Sequence, residues 1–308
     1  MRNVNPKLQL WLAGLNEILR SLEAQNIAPT PTAAREGFAL TTQTHVTDYP
    51  PVAYITDDNV EGTPVRIYHP SPEERLPVMI YFHGGGHMAG SIEVYEPICR
   101  KIAKATNHIV ISVDYRLSPE NPYPAGLNDA YKIVENIWAL LEKNGVEPEK
   151  KLTIAGDSGG GALSASICHK AQYDDNIKID NQILIYPSLD YTMREKSVKE
   201  NSKGYLLEEK GMVWYFDNYF QHGENREKAS PLYMEYSNAL PRTFVITTEF
   251  CPLRDEGLKY VEKLQQAGVE ASGFNYPDMI HGFLNLENLV REECDSLYRS
   301  LHHFLSNQ

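Results

Sequence analysis

From Pro77 onward, short and nearly uninterrupted apolar runs alternate with helical stretches, and this rhythm constrains the fold more than any other feature of the chain. Residues 78–82, 109–113, 152–155, 183–186 and 244–247 are strand-length and rich in β-forming side chains. Between them, 95–105, 127–142, 162–171 and 256–266 read as helices, while 273–276 fits a last strand and 284–305 a closing helix. Strands joined through helices require right-handed crossovers and hence a mostly parallel sheet. Runs without alternation are typical of strands covered on both faces. The expected class is α/β, with one central sheet between two helical layers.

Before residue 77 the texture differs. Leu8, Leu12, Leu15, Ile18, Leu19 and Leu22 recur at helical spacing and predict an amphipathic first helix. The Pro/Thr-rich stretch 28–32 is expected to end that helix and open a looser segment, with two short strands following at 52–56 and 65–68. A second break runs from Asp190 to Tyr233, polar at first and then aromatic with Trp214, Tyr215, Phe216, Tyr219 and Phe220. It reads as an insertion packing over the sheet edge beside the N-terminal helix.

Composition narrows the partners. At roughly 150 residues per domain, 308 residues allow one large domain or two ordinary ones. The formal net charge of −12, without a long Lys/Arg cluster, argues against nucleic acid and reads as solubility. The apolar runs fall far short of the roughly 20 residues that span a bilayer, so no membrane insertion is expected. Residues 1–11 lack the layout of a secretory signal, and Cys99, Cys168, Cys251 and Cys294 are scattered without a CxxC pair. Reduced thiols in a cytoplasmic protein fit that pattern better than disulfides or zinc.

Chemistry enters at the turn between the 152–155 strand and the next helix. Gly156-Asp157-Ser158-Gly159-Gly160 is the only G-x-S-x-G in the chain. A sharp strand-to-helix turn pushes its corner hydroxyl out above the sheet, and the helix start behind it offers the Gly159 amide. A second motif, His83-Gly84-Gly85-Gly86-His87, follows the 78–82 strand directly. Adjacent glycines leave backbone amides bare to approach an anion, as in oxyanion-binding HGGG loops. Zinc binding by His83 and His87 is disfavoured because three glycines oppose the helix it would need. A dinucleotide-loop reading of Gly84, Gly86 and Ala89 is also disfavoured. Asp114 lies 30 residues beyond Gly84 where about 20 is usual, and Gly90 and Pro97 oppose an immediate helix.

A serine elbow calls for an acid and then a histidine on loops after later strands. Asp255 and His281 occupy those places in that order; Glu249 and Asp278 are rival acids, and His222, His302 and His303 rival bases.

Together, Tyr81-Phe82-His83-Gly84-Gly85-Gly86, the stretch from Asp114 to Glu120, Gly156-Asp157-Ser158-Gly159-Gly160, Pro252-Leu253-Arg254-Asp255-Glu256 and His281-Gly282-Phe283 resemble the hormone-sensitive-lipase-type (family IV) carboxylesterases, bacterial acetyl esterases included. The resemblance runs from about Pro77 to the C-terminal helix. It implies an α/β-hydrolase fold as a single domain over 1–308, with a helical cap from about 1–45 and 190–233. It further implies a triad of Ser158, Asp255 and His281, oxyanion donors on the backbone of Gly85, Gly86 and Gly159, His83 and Gly84 as motif residues, and Pro119 and Glu120 in a loop beneath the site. His87, Trp214 and Tyr215 are candidate pocket residues, although most aromatics at the spacing of the insertion simply pack it onto the sheet.

The activity so implied is hydrolysis of short-chain acyl esters through an acyl-enzyme, without metal or other cofactor, on a small-molecule ester, by a monomer or homodimer. An amidase or deacetylase with the same triad, or a non-catalytic binding module, are the alternatives. Three positions depart from the family pattern: Cys251 stands where Asp is usual, which alters a contact beside the expected acid; His87 stands where an aromatic commonly follows the glycines; and Gly159 stands where Ala is usual.

Overall fold

A computed structural model describes residues 3–306. In chain order the elements are α1 (Pro6–Ala24), α2 (Pro31–His45), β1 (Tyr54–Val60), β2 (Thr63–His69), β3 (Val78–Phe82), α3 (Ile92–Thr106), β4 (Ile109–Val113), α4 (Ala125–Lys143), β5 (Leu152–Asp157), α5 (Ser158–Ala171) and β6 (Asn181–Ile185). They continue with α6 (Lys196–Glu200), α7 (Glu209–Tyr219), α8 (Arg226–Ala229), β7 (Arg242–Phe250), α9 (Arg254–Gln266), β8 (Ala271–Ile280) and α10 (Arg291–Ser306). One eight-stranded sheet has the order β1-β2-β4-β3-β5-β6-β7-β8. Its β1–β2 and β2–β4 pairs are antiparallel and the remaining pairs parallel.

Every residue of β3, β4, β5 and β6 is buried, which is why their sequences are continuously apolar instead of alternating. Successive side chains still point to opposite faces. Met79 and Tyr81 of β3 join α3, α10 and Leu8 and Leu12 of α1 in one core. Val78, Ile80 and Phe82 join α4, α5 and α9 in the other.

Several elements differ from the sequence reading. The Pro/Thr-rich stretch begins a second helix: the Thr30 hydroxyl accepts the Ala33 amide at 3.2 Å, and Pro31 occupies the first helical turn. The first strand is longer and shifted, Tyr54–Val60, because β1 is an edge strand and tolerates Asp57, which faces Arg66 across the pair and bonds it at 2.5 Å. Pro97 lies inside α3, which starts soon after the glycine loop once the Ser91 hydroxyl caps it. The last strand extends over Ala271–Ile280 and contains Pro277, as an edge strand permits. Segment 190–233 carries α6, α7 and α8. It meets the N-terminal helices where Asn16 donates to the Gly204 carbonyl and Lys210 pairs with Glu23. From α2, Arg35 donates to the carbonyls of Met88 and Ser118 and to the Glu120 carboxylate, tying the helix to the glycine loop.

Candidate active site

The strand β5 turns into α5 without an intervening residue, leaving Ser158 at φ 52° in the left-handed region that costs a side-chain-bearing residue energy. The turn is pressed against β3: a Cβ placed on Gly160 would lie 1.9 Å from the Phe82 carbonyl oxygen. Gly160→Ala is therefore expected to lower unfolding stability by about 3 kcal/mol or more, read from denaturant unfolding. A midpoint equal to that of the parent would contradict this packing.

The glycine loop after β3 is held to the elbow by one carboxylate. Buried Asp157 accepts the Gly84 amide at 2.8 Å, the Tyr81 hydroxyl at 2.9 Å and the Tyr95 hydroxyl at 2.8 Å. Burial pushes this acid up to about 6, against the pull of those donors. His83 bonds the Gly84 carbonyl through Nδ1 at 2.8 Å and stacks on Tyr115 at 4.5 Å; burial lowers it to about 4, so it is neutral. Asp157→Ala leaves a buried amide and two buried phenols without this acceptor. The expected cost is about 3 kcal/mol or more of stability, together with a lower kcat as the loop loses its anchor. An unchanged melt and kcat would contradict that role.

Among the described residues, the backbone amides of Gly85, Gly86 and His87 in the loop and of Gly159 at the start of α5 have no carbonyl partner. A Cβ on Gly159 would lie 3.0 Å from the His87 amide nitrogen and 3.3 Å from that of Gly86, so loop and helix start border one small space. Bare amides around such a space are what a developing oxyanion requires.

His281 follows β8 directly. Its Nε2 lies 2.9 Å from Ser158 Oγ, its ring is edge-on to Tyr186 at 4.8 Å, and burial lowers it to about 3. A serine hydroxyl and a neutral imidazole at that distance can exchange a proton.

The third expected member is not at this pair. Asp255 lies in the first turn of α9, where Oδ2 accepts the Ser197 amide at 2.9 Å and Oδ1 accepts Arg254 Nε at 2.8 Å. It makes no hydrogen bond to His281. The physical reason is that α9 already begins at Arg254, carrying Asp255 away from the end of β7. The residue facing His281 Nδ1 is Cys251, whose Sγ lies at 3.2 Å and is fully buried. The rival acids are engaged elsewhere: Glu249 accepts from Arg254 and Asn275, and Asp278 from Asn5. His222, His302 and His303 are exposed. The signal for Cys251 was positional, since it is the first residue past β7.

Of the pocket candidates, Tyr215 lies against the loop: a Cβ on Gly86 would be 2.7 Å from its ring. Trp214 is half-buried and edge-on to Tyr215 at 5.1 Å. His87 is buried, bonded to the Tyr191 hydroxyl at 3.0 Å and stacked on Tyr219 at 3.9 Å. Tyr191, Met212, Phe216, Tyr219 and Phe220 pack in one core with Ala162 of α5 and with Cys251 and Leu253 after β7.

The chain is similar in sequence and in fold to known proteins. A family described by an alpha/beta hydrolase fold matches residues 79–285. The chain belongs to the α/β-hydrolase family, in its hormone-sensitive-lipase-type branch. It is 33% identical over 251 residues to "Carboxylesterase NlhH" of Mycobacterium tuberculosis, an alignment covering 79% of this chain and 78% of that protein. Among solved structures it is similar to the hyperthermophilic esterase of the archaeon Pyrobaculum calidifontis, with a TM-score of 0.87, 32% identity and 98% of each chain covered. The ester hydrolase EH1AB1 from the metagenome of Lake Arreo, solved with a bipyridine phosphonate derivative, gives a TM-score of 0.90 at 29% identity, again covering 98% of each chain.

Proposed function

We propose that this chain is a serine carboxylesterase that hydrolyses short-chain acyl esters of small molecules through an acyl-enzyme. The observation that carries this reading is the 2.9 Å contact of Ser158 Oγ with His281 Nε2 beside amides without a carbonyl partner. In the proposed first half-reaction Ser158 Oγ bonds to the ester carbonyl carbon while its proton passes to His281 Nε2. The carbonyl oxygen takes up the negative charge and the amides of Gly85, Gly86 and Gly159 receive it. His281 then returns the proton to the departing alkoxide, leaving the acyl group on Ser158. A water attacks that acyl group in the second half, with His281 again taking and returning a proton.

Helices α1 and α2 together with segment 190–233 act as a cap in this proposal. Tyr215 against Gly86, and Leu206 within 3.6 Å of a Cβ built on Gly282, stand close to the reacting atoms and favour small acyl groups. A series of p-nitrophenyl esters tests the assignment. The expected kcat/KM is greatest for acetate to butyrate and falls for longer acyl chains; absence of hydrolysis across the series, or a maximum at long chains, would overturn it.

A further inference from the structure

The His281 ring has two polar edges, and only one is accounted for by Ser158. For Nε2 to take the serine proton, Nδ1 must carry a hydrogen, and the group placed to accept that hydrogen is a sulfur. Two donors converge there: His281 Nδ1 at 3.2 Å and the Leu253 amide at 3.3 Å. The strand end and the following turn hold the sulfur in place, with the Cys251 carbonyl accepting Asn201 Nδ2 at 3.0 Å and the Arg254 amide at 3.2 Å.

We infer that Cys251 is the positioning residue of a Ser158–His281–Cys251 relay, in which a neutral thiol fills the place where the triad scheme has a carboxylate. This rests on the serine-esterase reading above. During attack the proton moves from Ser158 Oγ to Nε2 and later to the leaving alkoxide. The Nδ1 hydrogen stays on the ring throughout, donated to Sγ, so the thiol is neither deprotonated nor oxidised. Burial pushes the Cys251 thiol up to about 12, which keeps it neutral at working pH. Of the carboxyl groups around the pair, Asp255 and Glu249 bond Arg254 and Asp278 accepts from Asn5. Glu256, raised well above the usual carboxylate range by burial, accepts the Leu189 and Asp190 amides through Oε1, while its buried Oε2 has no hydrogen-bond partner among the described residues.

A neutral acceptor fixes the tautomer but lends the imidazolium little charge stabilisation. Two consequences follow: the base stays neutral to unusually low pH, and the enzyme runs below the rate that a carboxylate would allow.

The test is the pH profile of kcat and kcat/KM for p-nitrophenyl acetate in the full chain and its Cys251→Asp, Cys251→Ser and Cys251→Ala variants. Cys251→Asp is expected to raise kcat about tenfold or more at pH 8 and to move the acid limb up by about one pH unit or more, because a neighbouring carboxylate favours the imidazolium. Cys251→Ala is expected to lower kcat about tenfold with KM little changed, and Cys251→Ser, which keeps an acceptor, to recover part of the loss. If Cys251→Asp fails to fold, the Ala and Ser variants decide by the same readouts. Profiles that coincide across the Cys251 variants while Ser158→Ala is inactive would overturn the inference and leave the esterase reading standing. So would an acid limb that moves with Asp255→Asn instead. A parent enzyme that hydrolyses none of the esters overturns both.

Discussion

Ser158→Ala is expected to lower kcat/KM for p-nitrophenyl acetate by roughly three to six orders of magnitude, with the fold and melting temperature retained. The size of the effect follows from where the hydroxyl stands. Ser158 Oγ is the group that both faces His281 and sits at the corner from which the Gly159 amide projects. Without it no acyl-enzyme forms, and the oxyanion amides are left to assist only the slow attack of water. Truncation removes a single oxygen atom from a half-buried position, so no cavity penalty of core magnitude is expected. A variant that keeps even a tenth of the parent activity would place the nucleophile elsewhere.

His281→Ala is expected to cost a comparable factor by a different route. The serine keeps its place but loses the base, and an unassisted hydroxyl is a poor nucleophile at neutral pH. Because the two residues act as a unit, the double variant with Ser158→Ala should be no slower than either single one. Multiplying losses would mean two independent contributions and would count against the pair. The parent profile carries a related expectation. With His281 lowered to about 3 by burial, the base is neutral throughout the ordinary range, so the acid limb should lie well below the usual histidine region near 6.5. Stability has the same sign. A histidine whose folded value is depressed binds fewer protons in the native state, so its contribution falls as the pH drops below about 6.5.

How much of this could be read beforehand depended on which physical signal each part carries. The strands β3 to β6 were legible because burial on both faces leaves only apolar residues to choose from. The serine turn was legible because glycine and a small nucleophile are what a backbone 1.9 Å from a built Cβ at Gly160 admits. Where water or a neighbouring charge decides, the pattern blurred. The edge strand β1 carries Asp57, Asp58 and Asn59 and lost its alternation, and Thr30-Pro31 read as a break although the same pair starts α2. The elbow histidine was found by its place after a strand. The residue facing its Nδ1 was not legible because a serine elbow calls for an acid, and the nearest matching acid, Asp255, lies four residues beyond Cys251 at the end of β7.

The most direct measurement is labelling of the intact chain with a fluorophosphonate probe, followed by peptide mapping by mass spectrometry. The serine-esterase reading predicts one adduct, on Ser158, with labelling abolished in His281→Ala and slowed by competing p-nitrophenyl acetate. No adduct on Ser158, or labelling that persists at the same rate without His281, would contradict it.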